Sequence, residues 1–172
     1  LCGCDGHKAS ALMIIATAKA TVMTTQVQPC AELMLDNQLC FALYSTSLLM
    51  TKTYKPLLQA LGLTYPQYLA MLVLWENDGI TVGEISARML TDPGSLTPLL
   101  KRLESEGLLQ RVRSSQDERV VQLYLTDRGR ALHEQAKALP ACILKASGLS
   151  LEKLASLKAD LVELRSHLQQ SL

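Results

Sequence analysis

The sequence predicts a mainly α-helical protein of the α+β class, in which one small β-hairpin interrupts a series of amphipathic helices. Three observations support this class. Apolar residues recur at helical spacing over most of the 172 residues. Capping and turn-forming residues divide these stretches into separate helices. Only two adjacent segments, between residues 108 and 125, have the composition of paired strands.

The first predicted helix runs from Glu32 to about Tyr54, where leucines recur at helical spacing. Pro56 disfavours helical geometry at Lys55, so we expect a break there and a short helix that ends at Gly62. Because the leucine face is long, it is expected to pack against another helix or a second subunit.

Two shorter helices should follow. Thr64 is a suitable N-cap for a helix over residues 65–76, which is rich in Leu, Met and Val. Residues 77–79, with the sequence Asn-Asp-Gly, form a turn signal. Thr81 then caps a predicted helix over residues 82–89.

The next predicted helix covers residues 95–106, after a turn at residues 91–94. With Ser95 as its N-cap, Pro98 would lie in the first turn, where a missing N–H costs little. Gly107 should end this helix.

A hairpin and further helices complete the chain. Residues 108–113 and 119–125 are predicted to form two strands joined by a polar loop. Thr126 should cap a helix that runs to about Leu139, before Pro140, and either ends there or resumes beyond it.

The last predicted helix begins after Ser150 and carries a leucine stripe. A stripe of this kind is most often simply buried within its own chain. At the end of the chain, and together with the long first helix, it is more consistent with burial against a partner subunit. Its members are Leu151, Leu154, Leu157, Leu161, Leu164 and Leu168.

Composition limits the possible functions. The chain is 48% hydrophobic and 19% charged, which is typical of a globular protein. Its formal net charge is only +1, so affinity for nucleic acid must come from the local placement of basic groups. No stretch approaches the roughly 20 apolar residues that a membrane-spanning helix needs. We therefore expect a cytoplasmic protein with no membrane partner.

The five cysteines are irregularly spaced, and no two of them form a C-x-x-C pair. This argues against a zinc ribbon, a thioredoxin-like site and a disulfide scaffold. We expect no metal and no cofactor, and a thiol that is kept reduced in the cytoplasm.

The order helix, turn, helix, hairpin over residues 81–125 is that of a winged helix-turn-helix. The leucine face of helix 95–106 would leave short polar, apolar and cationic side chains facing outward, as a major groove requires. Asp117 could hold Arg119 extended toward a minor groove. The alternative is a solvated helix and an ordinary charged hairpin. The predicted DNA-binding residues are Ser95, Thr97, Pro98, Lys101, Arg102, Arg113, Asp117 and Arg119.

The stretch from Leu35 to about Lys137 resembles the MarR family of dimeric winged-helix repressors, and in particular its organic-hydroperoxide branch, OhrR. One departure is Pro93, where relatives usually place a serine before the glycine. The resemblance implies a homodimer that binds a pseudo-palindromic double-stranded DNA operator and responds to an organic hydroperoxide. The runs that carry it are Asp36 to Phe41, Leu63 to Leu69, Leu96 to Glu104, and Asp117-Glu118-Arg119.

We expect four segments on this basis. Residues 1–31 would be an N-terminal extension, disordered or partly foreign to the native protein, with a secretory signal as the alternative. Residues 32–62 would form the dimerisation and sensor helix. Residues 63–130 would form the winged helix-turn-helix domain, and residues 131–172 the C-terminal dimerisation helices.

Cys40 is the candidate sensor, with Tyr44 one helical turn away. Tyr54 lies fourteen residues further along the same helix, so it cannot touch the Cys40 of its own chain if the helix is straight. The resemblance implies that Tyr54 and Tyr65 donate hydrogen bonds to the Cys40 thiolate across a dimer interface, with Tyr44 nearby as a third candidate donor. It also includes relatives with a resolving cysteine, for which Cys142 is the candidate.

Several alternatives remain open. Cys142 could be an inert core thiol, and Cys30 could resolve in its place. A repressor of this family could instead bind a small aromatic ligand, with Cys40 as a bystander. A thiol peroxidase is disfavoured, because the sequence shows no redox C-x-x-C pair or cationic thiol pocket.

Overall fold

The computed structural model describes residues 30–113 and 120–172. The chain divides into two compact units, Leu1–Gln38 and Leu39–Leu172. Asp117 and Arg119, which the sequence predicts to bind DNA, lie outside the described residues, as do residues 1–29 of the expected N-terminal extension.

The described part of the first unit contains two short 3-10 turns, Ala31–Leu33 and Leu35–Asn37. The prediction of a continuous helix from Glu32 is therefore wrong. Side-chain amides donate hydrogen bonds to backbone carbonyls here. Asn37 donates to the Ala31 oxygen at 2.8 Å, and Gln38 donates to the Glu32 oxygen at 2.6 Å. Such local side-chain hydrogen bonds compete with helix formation.

Helix α1 spans Leu39–Gln59 and continues through Pro56, so the predicted break at Lys55 is also wrong. A proline at this position removes the donor for the carbonyl of Lys52, four residues earlier. Both residues are exposed, and water can hydrogen-bond that carbonyl. The expected stop at Gly62 is confirmed: its φ is 70°, and the N–H of Leu63 donates back to the Leu58 oxygen at 2.9 Å.

Helices α2 (Tyr65–Glu76) and α3 (Val82–Met89) match the predicted bounds and caps. Thr81 and Glu84 form a capping box at α3. The Thr81 hydroxyl accepts from the Glu84 N–H at 3.2 Å, and the Glu84 carboxylate accepts from the Thr81 N–H at 2.7 Å. The Thr81 N–H and the Thr81 hydroxyl both donate to this carboxylate, and they hold the pKa of Glu84 below its usual value of 4.5.

Helix α4 spans Pro93–Ser105 and begins two residues before the predicted start. Asp92, not Ser95, is the N-cap, and its carboxylate accepts from the Ser95 N–H at 3.2 Å. Pro93 occupies the first helical position, which proline favours. Pro98 therefore lies inside the helix rather than in its first turn.

A three-stranded antiparallel sheet follows the order β1-β3-β2, with β1 at Ile80–Thr81, β2 at Leu109–Arg113 and β3 at Val121–Leu125. The predicted hairpin is confirmed by the pairing of β2 with β3. Strand β1 was not predicted, because two residues are too few to show an alternating pattern.

Three helices complete the chain: α5 (Asp127–Ala136), α6 (Leu139–Ser147) and α7 (Leu151–Gln170). The predicted caps Thr126 and Ser150 are confirmed by side-chain hydrogen bonds to N–H groups of the first turn. Pro140 lies in the first turn of α6, so the helical pattern does resume beyond the end of α5.

The core lies between α2, α3, α4 and the sheet. Helix α7, in contrast, has no buried residue. Among the described residues, no helix is both long and apolar enough to cross a membrane. The fully buried core side chains include Met71, Leu74, Ile85, Leu96, Leu100, Leu103 and Leu123.

Candidate DNA interface and thiol site

Helix α4 has one buried face and one exposed face. Leu96, Leu100 and Leu103 are fully buried and fix the helix against the core. The predicted DNA-binding side chains of α4 lie on the other side: Ser95, Pro98, Lys101 and Arg102 are exposed, and Thr97 is half-buried. The leucine spacing therefore determines which groups the helix presents to solvent.

Two of these side chains are already engaged. The Thr97 hydroxyl donates to the Pro93 oxygen at 3.0 Å, and the Arg102 Nε lies 3.1 Å from a carboxylate oxygen of Glu106. Ser95 and Lys101 make no side-chain hydrogen bond or ion pair with any described residue.

The hairpin is attached to α4 through Arg111, whose backbone N–H donates to the Glu104 carboxylate at 3.2 Å. Arg113, another predicted DNA-binding residue, is exposed at the end of β2, next to the undescribed tip. Helix α4 and the hairpin are thus parts of one connected unit.

An ion pair that the sequence analysis missed joins three parts of this unit. Asp78, in the turn before β1, forms an ion pair with Arg130 of α5. The Asp78 carboxylate also accepts from the Leu125 N–H at 2.7 Å, and Arg130 donates to the Leu125 oxygen at 2.8 Å. Both side chains therefore hold the end of β3, which fixes the sheet between α2 and α5.

Cys40 is an exposed free thiol in the first turn of α1. Backbone N–H groups at this end of a helix lack intrahelical acceptors, and the helix dipole favours negative charge there. Tyr44, one turn further on, is 62% exposed. Cys142 on α6 and Cys30 are also free and exposed, so Cys142 is not the buried core thiol considered from the sequence.

The other two candidate tyrosines lie together at the opposite end of α1. The rings of Tyr54 and Tyr65 have centroids 5.0 Å apart, and Tyr68 lies 5.8 Å from Tyr54. Fourteen residues of helix separate Cys40 from Tyr54, or about 21 Å at the usual rise per residue. A single chain therefore holds the phenols away from its own Cys40.

Burial favours the protonated phenols of Tyr54 and Tyr68. It raises the pKa of Tyr54 and of Tyr68 above 10.0, and neighbouring tyrosines raise it further. A protonated phenol donates a hydrogen bond, so at neutral pH this cluster offers O–H donors. Sequence analysis missed Tyr68, although its position three residues after Tyr65 is a helical neighbour spacing.

The aromatic cluster continues toward α5. The ring centroid of Trp75 lies 6.3 Å from that of Tyr68 and 5.3 Å from that of His133. The Trp75 indole N–H donates to the Gly129 oxygen at 2.9 Å. A row of rings therefore extends from the end of α1 to the helix that follows the wing.

Comparisons with known proteins identify the class of protein to which this chain is similar. A family model described as transcriptional regulator SarA/Rot matches residues 52–136. The organic hydroperoxide resistance transcriptional regulator of Bacillus subtilis (strain 168) is 50% identical over 136 residues, which is 79% of this chain and 92% of that protein. Both descriptions are of transcriptional regulators rather than enzymes.

Solved structures of AbfR, a protein of Staphylococcus epidermidis, have the same fold. The structure of reduced AbfR bound to DNA is 36% identical, covers 79% of this chain and 93% of its own, and has a TM-score of 0.67. The structure of overoxidised AbfR bound to DNA is also 36% identical, covers 80% and 95% respectively, and has a TM-score of 0.66.

Proposed function

Because the chain belongs to the MarR family of winged-helix transcriptional regulators, we propose that it is a redox-sensing repressor. It acts in the cytoplasm as a homodimer on a pseudo-palindromic DNA operator. It releases that operator when an organic hydroperoxide oxidises Cys40, so that a peroxide-resistance gene is expressed.

The separation of Cys40, at the start of α1, from Tyr54 near its end and from the adjoining Tyr65 of α2 is the observation that carries this proposal. In each chain the exposed Cys40 thiol lies far from the half-buried phenols of Tyr54 and Tyr65. Two copies whose α1 helices cross in opposite directions would bring the Cys40 of one chain to the tyrosines of the other. The exposed leucines of α1 and α7 favour such an association, because a second copy would remove them from water.

The proposed chemistry begins with the Cys40 thiolate. Its sulfur attacks the outer oxygen of the hydroperoxide, the O–O bond breaks, and an alcohol leaves after taking up a proton. Cys40 becomes a sulfenic acid, so the sulfur is oxidised and the peroxide reduced. The phenols of the partner subunit hydrogen-bond the sulfur before the reaction and lose that contact after it.

A second thiol then condenses with the sulfenic acid, releases water and forms a disulfide. Cys142 is the proposed resolving residue, since it is exposed on α6, a helix that packs against α1. Cys30 is the alternative, and it too is exposed. The disulfide step matters because AbfR has been solved on DNA in an overoxidised form. We therefore assign release to the disulfide rather than to overoxidation.

The operator contacts follow from the exposed face of α4. Each subunit would place α4 in a major groove, with Ser95, Thr97 and Pro98 near base edges and with Lys101 and Arg102 near phosphates. Arg113 would lie beside the adjacent minor groove, and Asp117 would orient Arg119 within it. A disulfide that pulls on α1 changes the spacing of the two α4 helices, and binding is lost.

Titration of purified protein on its own promoter region tests this function. Binding is followed by fluorescence anisotropy as cumene hydroperoxide is added in stoichiometric amounts, and again after dithiothreitol. We expect binding to be lost and then recovered, and Cys40→Ser to bind without responding. Cys142→Ser is the matched control, which should be oxidised at Cys40 without rapid release.

A Cys40→Ser protein that still releases DNA with peroxide would refute the redox function. Release by a small aromatic compound, unchanged in Cys40→Ser, would support the alternative of a ligand-responsive repressor.

A further inference from the structure

Pro98 leaves one backbone carbonyl of α4 without its helical donor. In an α-helix the N–H of residue 98 would donate to the carbonyl of Gly94, and proline has no N–H. The two preceding carbonyls are occupied: Leu96 N–H donates to the Asp92 oxygen at 3.2 Å, and the Thr97 hydroxyl donates to the Pro93 oxygen. No side chain in the described part of the chain donates to Gly94.

This carbonyl lies at the centre of the exposed face of α4. At about 100° per residue, Gly94 and Pro98 lie within about 40° of each other around the helix. The buried leucines Leu96, Leu100 and Leu103 lie about 180° away. Gly94 and Pro98 are both exposed; Gly94 has no side chain of its own, and the Pro98 ring crowds one side of its oxygen.

A side chain at position 94 would crowd the cap of α4. A Cβ there would lie 2.6 Å from the Asp92 carboxylate oxygen that caps α4, so that carboxylate would have to move. Pro98 is therefore the residue that can be changed without disturbing the start of the helix.

A free carbonyl on this face selects for one kind of base edge. In the major groove, hydrogen-bond donors come only from the exocyclic amino groups of adenine and cytosine, whereas guanine and thymine present acceptors. Lys101, on the same face, can only donate. The carbonyl thus supplies an acceptor that the exposed lysine cannot.

We propose that the Gly94 carbonyl, freed by Pro98, accepts a hydrogen bond from the amino group of an adenine or cytosine in each operator half-site. Pro98 is then a specificity-determining residue that acts through the backbone. This inference rests on the proposed insertion of α4 into the major groove.

Selection of binding sites from a randomised duplex library tests the inference. Pro98→Ala restores an N–H that would occupy the Gly94 carbonyl, and it should preserve or raise the melting temperature. We expect Pro98→Ala to lose its preference at one symmetric base pair per half-site and to keep the others. Pro56→Ala is the matched control, since it also replaces an exposed proline inside a helix but lies on α1.

Base analogues then identify the contact with the unmodified protein. Removing the amino group at that position, with purine for adenine or 2-pyrimidinone for cytosine, should weaken wild-type binding roughly three- to tenfold. The same replacement should leave the affinity of Pro98→Ala unchanged.

Identical base preferences in wild type and Pro98→Ala would overturn the inference. So would an unchanged wild-type affinity for the analogue, or a loss caused only by uracil in place of thymine, which would indicate a methyl contact with the proline ring. A wild-type protein that enriches no sequence would refute the DNA-binding function itself, and this inference with it.

Discussion

The leucines of helix α4 and those of the terminal helix α7 have the same sequence spacing but opposite surroundings. Leu100 and Leu103 of α4 are fully buried within the chain, whereas Leu161 and Leu168 of α7 are 39% and 55% exposed. A stripe of leucines thus predicts that a face will be buried, and does not say by which chain. The core around α4 is filled by residues of one chain, whereas the leucines of α7 stay exposed, and in the proposed homodimer a second copy covers them.

The largest expected effect is a loss of stability when the core around α4 is disrupted. Leu100→Ala should lower the free energy of unfolding by about 2–5 kcal/mol, because it leaves a cavity in a packed core. This loss should not depend on protein concentration, and urea unfolding monitored by circular dichroism measures it. Leu161→Ala is the control. It should lower the free energy of unfolding by less, and this loss should depend on protein concentration, as for a residue buried between subunits.

Two charges on the leucine face of α7 should weaken the association of two chains. Leu157→Asp with Leu161→Asp should raise the dimer dissociation constant about a hundredfold or more, since association would bury unpaired carboxylates. Sedimentation velocity measures this. Ala159→Asp with Ser166→Asp places the same charges on the opposite side of α7, and we expect an intact dimer. Equal sedimentation of the two variants would show that the leucine face of α7 is not an interface.

The smallest effect concerns the tyrosine cluster, which lies where the two regions meet. Because burial raises the pKa of Tyr68 above 10.0, folding favours the neutral phenol. Stability is therefore full below pH 10 and falls as the pH rises from 10.0 toward the folded-state pKa. Tyr68→Phe should make this fall shallower in alkaline urea titrations. A slope equal to that of wild type would mean that the Tyr68 phenol does not contribute.

Much of the fold is predictable because its signals are local. Thr64, Thr81, Thr126 and Ser150 each cap the helix that the sequence predicts after them. The start of α4 was placed wrongly because Asp92 and Ser95 are both good caps. Pro93, which prefers the first helical position, was the signal that could have decided between them.

The parts of the site that the sequence did not reveal join residues far apart along the chain. Trp75 donates a hydrogen bond to Gly129, which lies 54 residues later in the sequence, and Asp78 forms an ion pair with Arg130, 52 residues later. Neither partner carries a local pattern that points to the other. The face of α4 was predictable, in contrast, because helical periodicity alone determines which of its side chains are exposed.

The central claim is that the phenols of one subunit donate hydrogen bonds to the Cys40 sulfur of the other. A heterodimer tests it most directly. One chain carries Cys40→Ser, and the other carries both Tyr54→Phe and Tyr65→Phe. The one remaining Cys40 then has Tyr54 and Tyr65 only in the partner subunit. The measurement is the rate of Cys40 oxidation by cumene hydroperoxide, followed by mass spectrometry. We predict a rate equal to that of the wild-type dimer. A rate as slow as that of the Tyr54→Phe, Tyr65→Phe homodimer would contradict the account.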